Sequence, residues 1–402
     1  MKFRKSFAAA AAVAVALMGS AIAPSQAASG VTITGAGSTF ILNYVNACTA
    51  GYHAATGNTV SYTGTGSGTG KSMFNAGTVD FAFSDSLVTA QPNFSWEYIP
   101  MIVGPVAVMY NLPGVGSVNM SQKTIADVFA GKIKMWDNAA IVADNKGKTT
   151  TTTIAVKKYK MMPLRKNGKI VKKHGKVVLV KKLVPTYKTK TVTKGSVKLP
   201  HLPISVVYRS DGSGTSSLLT NFLAGTSPSV WTKGGSQTFT AAFPGNLPTD
   251  GTFQGVSGSP LVASTIASKP GAIGYAELSF AKDSKLGTVA VQNAAGNYVG
   301  PTAAGASAFF STVAVKAKGE IEPDYMTKDP GAYGITGWTY GLVRTDGKLP
   351  NGSSESAKTK AIKDFMTYLT QTCVPLQAEK NYYAGLPDVP LAVAQSNIAN
   401  LG

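Results

Sequence analysis

The segment Ile204-Ser-Val-Val-Tyr-Arg-Ser-Asp-Gly-Ser-Gly-Thr-Ser216 decides the fold. Its β-branched first part, Ile204 to Tyr208, is typical of a buried strand, and the Gly/Ser/Thr loop after it leads into an apolar helical stretch, Ser216 to Leu223. Such a junction directs free backbone N–H groups and the positive end of the helix dipole at one point. The segment therefore predicts a strand–loop–helix unit whose turn can hold an anion.

Two other junctions of the same kind occur earlier in the chain. The strand Val31 to Thr34 ends in Gly35-Ala-Gly-Ser-Thr39, before a helix predicted over Phe40 to Ala55. The strand Thr59 to Tyr62 ends in the glycine-rich run Gly64 to Gly70. One such loop is an ordinary turn, but three in one chain favour a small, oxygen-rich, negatively charged ligand.

Strands that alternate with helices predict an α/β protein with mainly parallel sheets. The next strand, Val79 to Phe83, runs into Ser84-Asp-Ser86, and the apolar run Tyr98 to Tyr110, interrupted by Gly104-Pro105, is predicted to be a buried strand.

These motifs together match a known family. The chain resembles the phosphate-binding protein of the ABC-type phosphate importer, of the type II periplasmic-binding-protein family. The resemblance implies two α/β lobes, each a mainly parallel sheet with helices on both faces, joined by a two-segment hinge. The matching segments are Thr34-Gly-Ala-Gly-Ser-Thr-Phe40, Tyr62-Thr-Gly-Thr-Gly-Ser67, Val79-Asp-Phe-Ala-Phe-Ser-Asp85 and Tyr208-Arg-Ser-Asp-Gly-Ser-Gly-Thr215, supported by 126–137 and 271–275.

The resemblance also implies a set of phosphate-binding residues, which are Thr39, Phe40, Ser67, Asp85, Arg209, Asp211, Ser213, Gly214 and Thr215. Arg209, held by Asp211, is expected to pair with phosphate oxygens. Asp85 is expected to accept a hydrogen bond from the proton that phosphate keeps near neutral pH. Sulfate keeps no proton and would meet Asp85 oxygen to oxygen, so Asp85 is the predicted selectivity residue.

Each of these residues also has an ordinary structural interpretation. Asp85 could cap a helix, Arg209 and Asp211 could form a surface ion pair, and Ser67 could be a turn residue. The chain departs from the family pattern in Ile41-Leu-Asn43, where prolines are usual, and in its second loop. The resemblance weakens between Val289 and Asn351.

The expected lobes follow from the resemblance. Lobe one is expected to comprise 29–113 and 308–402, and lobe two 114–307. The two crossovers are expected near Leu112–Gly116 and Thr302–Phe310.

The first 28 residues are predicted to be a signal peptide, with a basic start (Lys2, Arg4, Lys5) and an apolar stretch, Ala8 to Met18. We expect export to the periplasm or cell surface, with neither a lipid anchor nor a transmembrane helix in the mature chain. Cys48 and Cys373 could form one disulfide in that compartment, or remain two buried thiols.

The sequence offers little for catalysis. Its three His have no metal-ligand spacing, and Gly64 to Gly70 fails the dinucleotide pattern because Thr69 occupies the third glycine position. We therefore expect a monomeric binding protein that is not an enzyme and uses no cofactor or metal.

The charge is concentrated in one insert. Residues 143–198 hold 17 Lys and Arg against one acid, whereas the whole chain has a net charge of +19. Short alternating runs joined by Asn167-Gly168 and His174-Gly175 predict β-hairpins in lobe two. The insert could be a solvated extension, or it could bind an anionic membrane or cell-wall polymer; nucleic acid is not expected. Two alternatives to phosphate transport therefore stay open: a surface-attachment protein, and the same fold binding another tetrahedral oxyanion.

Overall fold

The computed structural model describes residues 30–147, 149–163, 165–166, 169–173, 176–193, 196–316, 319–348 and 356–401. The predicted signal peptide lies outside these residues, as do the turn residues Asn167-Gly168 and His174-Gly175. The signal peptide therefore remains a prediction. The two predicted hairpins are confirmed by the antiparallel pairs beside each turn, Arg165–Lys166 with Lys169–Ile170 and Lys172–Lys173 with Lys176–Val177.

The strands of the described residues form one large mixed sheet and three small two-stranded ladders. In chain order they are β1 (Thr32–Gly37), β2 (Thr59–Thr63), β3 (Phe81–Ser84), β4 (Trp96–Tyr110), β5 (Val118–Met120), β6 (Thr149–Pro163), β7 (Arg165–Lys166), β8 (Lys169–Ile170), β9 (Lys172–Lys173), β10 (Lys176–Val177), β11 (Leu179–Thr193), β12 (Ser205–Arg209), β13 (Phe253–Val256), β14 (Ala272–Glu277), β15 (Gly287–Gln292), β16 (Tyr298–Val299), β17 (Ala314–Val315), β18 (Ile321–Glu322) and β19 (Thr336–Arg344).

The helices connect and cover these strands. They are α1 (Leu42–Thr56), α2 (Ser67–Asn75), α3 (Gln122–Phe129), α4 (Ala139–Asp144), α5 (Gly214–Thr226), α6 (Phe239–Ala242), α7 (Ser259–Ser268), α8 (Leu278–Asp283), α9 (Ala303–Phe310), α10 (Ser356–Thr367) and α11 (Asp388–Ala399). After α10 come two π-helical turns, Tyr368–Thr372 and Val374–Ala378, and a 3₁₀ turn, Glu379–Asn381.

The two halves of the large sheet have the same plan. In the first half, β1 lies parallel to β2 and β3, and β19 then runs antiparallel to β3 and β4. In the second half, β12 lies parallel to β13 and β14, and β14 runs antiparallel to β4. Parallel strands joined through helices confirm the predicted α/β class with mainly parallel lobes.

Strand β4 belongs to both halves, because it is continuous through Gly104-Pro105. Its residues up to Pro105 pair with β19, whereas those from Val106 pair with β14. The chain returns beside this point, where the Val106 N–H donates to Ile335 O at 2.9 Å just before β19 begins. On this pairing we place the two passages between lobes at 105/106 and 335/336 rather than near 112–116 and 302–310.

The Lys-rich insert is a long ribbon. β6 and β11 pair antiparallel over fifteen residues each, from Thr149 opposite Thr193 to Pro163 opposite Leu179, which corresponds to about 50 Å of strand. Its base joins the large sheet where β16 runs parallel to β6. There Thr153 is buried and donates to Gly331 O at 2.7 Å.

The two ends of the described chain are linked covalently. Cys48 of α1 and Cys373 form a disulfide across 325 residues, with their Cα atoms 5.9 Å apart. Both side chains are buried in the first-lobe core, together with Tyr44 and Phe365. The alternative of two free thiols therefore does not apply.

Candidate functional site

The predicted anion loops meet where the two lobes face each other. Gly66, which precedes α2, has φ +88°, and a Cβ atom there would lie 2.4 Å from Asp211 Oδ2 on the other lobe. The Gly68 N–H donates to Gly212 O at 2.7 Å across the same gap. Only glycine permits this approach, so the glycine-rich loop allows the lobes to close on each other.

Asp85 lies at the centre of this contact and is buried. Thr339 donates to Oδ1 at 2.6 Å, while Ser38 donates to Oδ2 at 2.6 Å and Ser67 to the same oxygen at 3.3 Å. Burial raises the pKa of Asp85 to about 6, although hydrogen bonds from Ser38, Thr339 and Ser67 and the charge of Arg209 act to lower it. No helix lies between β3 and β4 in the described chain, so Asp85 does not cap one.

Arg209 is also buried, so the surface ion-pair interpretation is wrong. Its Nε donates to Asp211 Oδ1 at 2.6 Å, and its Nη2 bonds Asp211 Oδ2. Its Nη1 reaches the hydroxyls of Thr39 and Ser259, each at 3.1 Å. Burial acts to raise the pKa of Asp211, but the hydrogen bonds and charge of Arg209 and the Gly258 N–H hold that pKa below its ordinary value. Asp211 is therefore ionised and fixes the guanidinium plane.

The N-terminus of α5 points into the same place. A Cβ atom on Gly214 would lie 2.5 Å from Ser67 Oγ and 2.7 Å from Asp85 Oδ2. Ser213 caps the helix by accepting the Ser216 N–H at 3.1 Å. Thr215 follows Gly214 in the first turn and is buried. The positive end of a thirteen-residue helix thus faces the carboxylate of Asp85.

Phe40 is placed differently from the other predicted residues. Its N–H donates to Ser38 Oγ at 2.9 Å, and its ring is buried in an edge-to-face contact with Tyr383. Its carbonyl oxygen accepts a hydrogen bond from Tyr383. Phe40 therefore anchors the first loop to the core, and in this conformation its N–H is engaged by Ser38.

Three further residues belong to the site, and the sequence analysis missed them. Ser38 lies inside a quoted motif and holds Asp85. Ser259 follows Gly258 at the start of α7, a fourth Gly/Ser loop that the sequence shows but that was not counted. Thr339 lies in β19, where the register with β4 shifts between Thr339 and Tyr340. Nothing in the local sequence indicates that Thr339 faces Asp85.

A cavity of about 210 Å³ lies beside the site. Its lining includes Asp85, Ser217 and Asn221 of α5, and the aromatic side chains of Tyr325 and Trp338. Asp85 is the one member of the predicted set on its walls, so the cavity reaches the site from the Asp85 side. Its volume leaves room for a small oxyanion with water.

In the described ranges, no three His, Cys, Asp or Glu side chains are grouped so that they could hold a metal ion. None of the helices in this part of the chain combines the length and apolar character needed to cross a bilayer.

Comparison with known proteins identifies the family. A family model described as a PBP superfamily domain matches residues 23–372. The phosphate-binding protein PstS of Methanocaldococcus jannaschii is 31% identical over 351 residues, covering 82% of this chain and 75% of that protein. The chain belongs to the PstS family of phosphate-binding proteins. Another member, PstS of Xylella fastidiosa strain Temecula1, is 29% identical over 362 residues, covering 89% of this chain and 82% of that protein.

Solved structures agree with this PstS-family fold. The chain superposes on a high-affinity periplasmic phosphate-binding protein (PfluDING) bound with phosphate, with a TM-score of 0.63 and 23% identity, covering 91% of this chain and 93% of the other. A phosphate-binding protein from Stenotrophomonas maltophilia gives a TM-score of 0.59 at 17% identity, covering 91% and 93%. These likenesses confirm the two-lobed architecture.

Proposed function

We propose that this PstS-family protein captures inorganic phosphate between its lobes outside the cytoplasm and delivers it to the membrane subunits of an ABC importer. The observation that carries the proposal is the arrangement around Asp85. A buried carboxylate faces the N-terminus of α5, and the buried, oriented guanidinium of Arg209 lies close by. Relatives named as phosphate-binding proteins support the same ligand.

The site contains two kinds of group, hydrogen-bond donors and one hydrogen-bond acceptor. Arg209, the hydroxyls of Thr39 and Ser67, and the first turn of α5 from Ser213 to Thr215 supply hydrogen-bond donors for an oxyanion. Asp85 supplies an acceptor, which suits an oxyanion that carries a proton. With a pKa of about 6, Asp85 is mainly ionised at neutral pH and can accept that proton. Nothing in this arrangement requires a nucleophile or a general base, so the proposed activity is binding.

The test is calorimetric titration of the mature protein with phosphate, with sulfate as competitor, for wild type and Asp85→Asn. We expect tight phosphate binding that sulfate does not displace in the wild type. In Asp85→Asn the amide can donate to an unprotonated oxygen, so the preference for phosphate over sulfate should fall by about 10- to 100-fold. Asp250→Asn, at an exposed position, is the matched control and should change neither affinity.

The outcomes separate the remaining candidates. If the wild type prefers sulfate, the protein has the same fold but binds an oxyanion other than phosphate. A folded wild type that binds neither anion would overturn the transport proposal.

A second candidate function rests on the ribbon formed by β6 and β11. Lys188 and Lys190 on β11 are exposed, as are Lys172, Lys173 and Lys176 on β9 and β10 between the two long strands, whereas the base of the ribbon is buried against the second lobe. Each cation near an anionic membrane surface contributes roughly 1 kcal/mol, screened by salt. The ribbon is therefore suited to retention of the protein at an anionic surface.

This retention can be tested by removing residues 155–187 and joining Ile154 to Lys188, which face each other in the ribbon, through an Asn-Gly turn. Cosedimentation with vesicles that contain phosphatidylserine should be lost in this trimmed variant and in 0.5 M salt. If the wild type and the trimmed variant bind these vesicles equally at low salt, the retention role is ruled out.

A further inference from the structure

Lys71 is a buried lysine that the proposed phosphate site does not use. In the part of the chain whose burial the structure describes, the buried Lys and Arg side chains are Lys71 and Arg209. Arg209 already belongs to the site, where Asp211 fixes its guanidinium plane. Taking an ammonium group out of water costs free energy unless hydrogen-bond acceptors or an opposite charge compensate it. The partners of Lys71 lie directly after Asp85 in the chain.

The ammonium group of Lys71 bonds the segment that follows Asp85. Its Nζ donates to Ser86 Oγ at 2.9 Å and to Leu87 O at 2.8 Å. Lys71 lies four residues after Ser67 on α2, and residues at this spacing share one face of a helix. Ser67 Oγ donates to Asp85 Oδ2 at 3.3 Å and accepts the Asp85 N–H at 3.2 Å. One face of α2 therefore bonds three consecutive residues, Asp85 to Leu87.

The same segment borders empty space. Asp85, Ser86 and Leu87 all line the cavity of about 210 Å³ beside the site. The Leu87 side chain is 43% exposed, so it gives the segment little packing. The hydrogen bond from Ser84 Oγ to Ser86 O, at 2.7 Å, is local to the turn. Since a cavity offers no packing atoms, the two hydrogen bonds from Lys71 are what tie this turn to a helix.

The helix that carries Lys71 is itself fixed against the first anion loop. A Cβ atom on Gly70 would lie 2.4 Å from Gly37 Cα, so α2 packs closely on the end of β1. The Gly66 N–H, just before α2, donates to Gly37 O at 2.8 Å. Lys71 therefore reaches the segment after Asp85 from a rigid support.

Lys71 also changes the charge balance of the cleft. Without it, the positive charge of Arg209 faces the negative charges of Asp85 and Asp211, and phosphate adds further negative charge. Burial lowers the pKa of Lys71 to about 8, and the charge of Asp85 acts to raise it, so Lys71 is mainly charged at pH 7. Charges interact more strongly in a poorly solvated cleft than in water. A cation next to the Asp85 segment therefore offsets the repulsion between this carboxylate and the anion.

We propose that Lys71 is a positioning residue for the phosphate site: its buried ammonium group holds the segment that follows Asp85 and offsets the Asp85 charge, so that this carboxylate stays in place to accept the proton of phosphate. Lys71 acts through Asp85 rather than on the anion itself. The inference rests on the proposed phosphate-binding function. It predicts that removal of Lys71 weakens phosphate binding only while residue 85 is a carboxylate.

The experiment is a double-mutant cycle on phosphate affinity, measured by calorimetry at pH 7. Lys71→Met keeps a long unbranched side chain and removes the charge and both hydrogen bonds. It should weaken phosphate binding by about tenfold in the wild-type background, and by less than about twofold in the Asp85→Asn background. Lys282→Met, at an exposed position of α8, removes the same charge and is the matched control. It should leave affinity within about twofold in both backgrounds.

Sulfate gives a second measurement that a general loss of structure would also affect. Asp85→Asn is expected to bind sulfate. Adding Lys71→Met to it should leave sulfate affinity within about twofold, because this site no longer contains the carboxylate that Lys71 positions. If Lys71 attracted the anion directly, sulfate affinity would fall together with phosphate affinity.

The outcomes distinguish this inference from the function on which it rests. An equal loss in both backgrounds, or no loss in either, would overturn the role of Lys71 and leave phosphate capture standing. Absence of phosphate binding by the folded wild type would overturn both. Thermal unfolding verifies that each variant is folded, and if Lys71→Met does not fold, Lys71→Gln carries the same cycle.

Discussion

Two Arg-x-Asp segments of this protein form the same hydrogen-bonded fork in different surroundings. At the end of β12, Arg209 contacts both carboxylate oxygens of Asp211 through Nε and Nη2. At the end of β19, Arg344 contacts both oxygens of Asp346 through the same two nitrogens, at 3.1 and 2.7 Å. The residue spacing and the bidentate geometry are alike.

The difference lies in the remaining nitrogen, Nη1. That of Arg209 bonds two hydroxyls, those of Thr39 and Ser259, and the side chain is 1% exposed. Arg344 lies 4.0 Å over the ring of Phe94, and its side chain is 14% exposed. A fork of this kind makes an anion site only where other donors converge on it, and the fold places such donors around Arg209.

The strongest test of this comparison replaces each arginine with methionine. Arg209→Met removes at least two charge-assisted hydrogen bonds to the anion, each worth about 1.5–3 kcal/mol, so phosphate affinity should fall by about 100-fold or more. Arg344→Met should leave affinity within about twofold. Calorimetry gives both values, and comparable losses in the two variants would show that the comparison does not hold.

A second test concerns Thr339, which lies on the same strand as Arg344 but faces the cleft. Thr339→Val removes a donor from Asp85 Oδ1, so the pKa of Asp85 should rise above about 6. A protonated Asp85 cannot accept the proton of phosphate. Phosphate affinity should therefore fall several-fold at pH 6 and less at pH 8, as measured by titration at both values. Thr59→Val, at an exposed position in β2, should show the wild-type pH dependence; an equal loss at pH 6 and 8 in Thr339→Val would argue against this role.

The smallest effect is expected from the lysines that dominate the charge. The trimmed variant lacking residues 155–187 should bind phosphate within about twofold of the wild type. The site uses a buried Arg, hydroxyls and backbone N–H groups, whereas exposed cations more than about 10 Å away are screened at physiological salt. Calorimetry at low and physiological salt checks this expectation. A large loss at low salt alone would show that the ribbon attracts the anion to the cleft.

Much of the fold could be predicted from local patterns. The strand Ile204 to Tyr208 and the helix Ser216 to Leu223 correspond to β12 and α5, because a β-branched run and an apolar helical period are properties of neighbouring residues. The positions of the lobe boundaries were harder to predict from the sequence. The partner change inside β4 depends on which strands pair with Gly104-Pro105 and Val106, which is a non-local property.

The candidate site also combines residues that local motifs predict with residues that only distant contacts bring in. Asp85, Ser67 and Arg209 could be proposed because they lie in motifs, whereas Thr339 lies in a strand without such a motif. Thr339 and Asp85 are 254 residues apart in the chain, so no local pattern pairs them.

By itself, the sequence determined the residues able to bind an oxyanion, because glycine-rich turns, helix N-termini and an Arg-x-Asp fork are local chemistry. It also determined where the excess positive charge lies in the chain, the insert of 143–198. Only the tertiary structure decided which of two similar forks faces a second lobe and which hydroxyls hold Asp85. These depend on contacts between segments hundreds of residues apart, where burial, and not residue type, sets the strength of a hydrogen bond and the pKa of an acid.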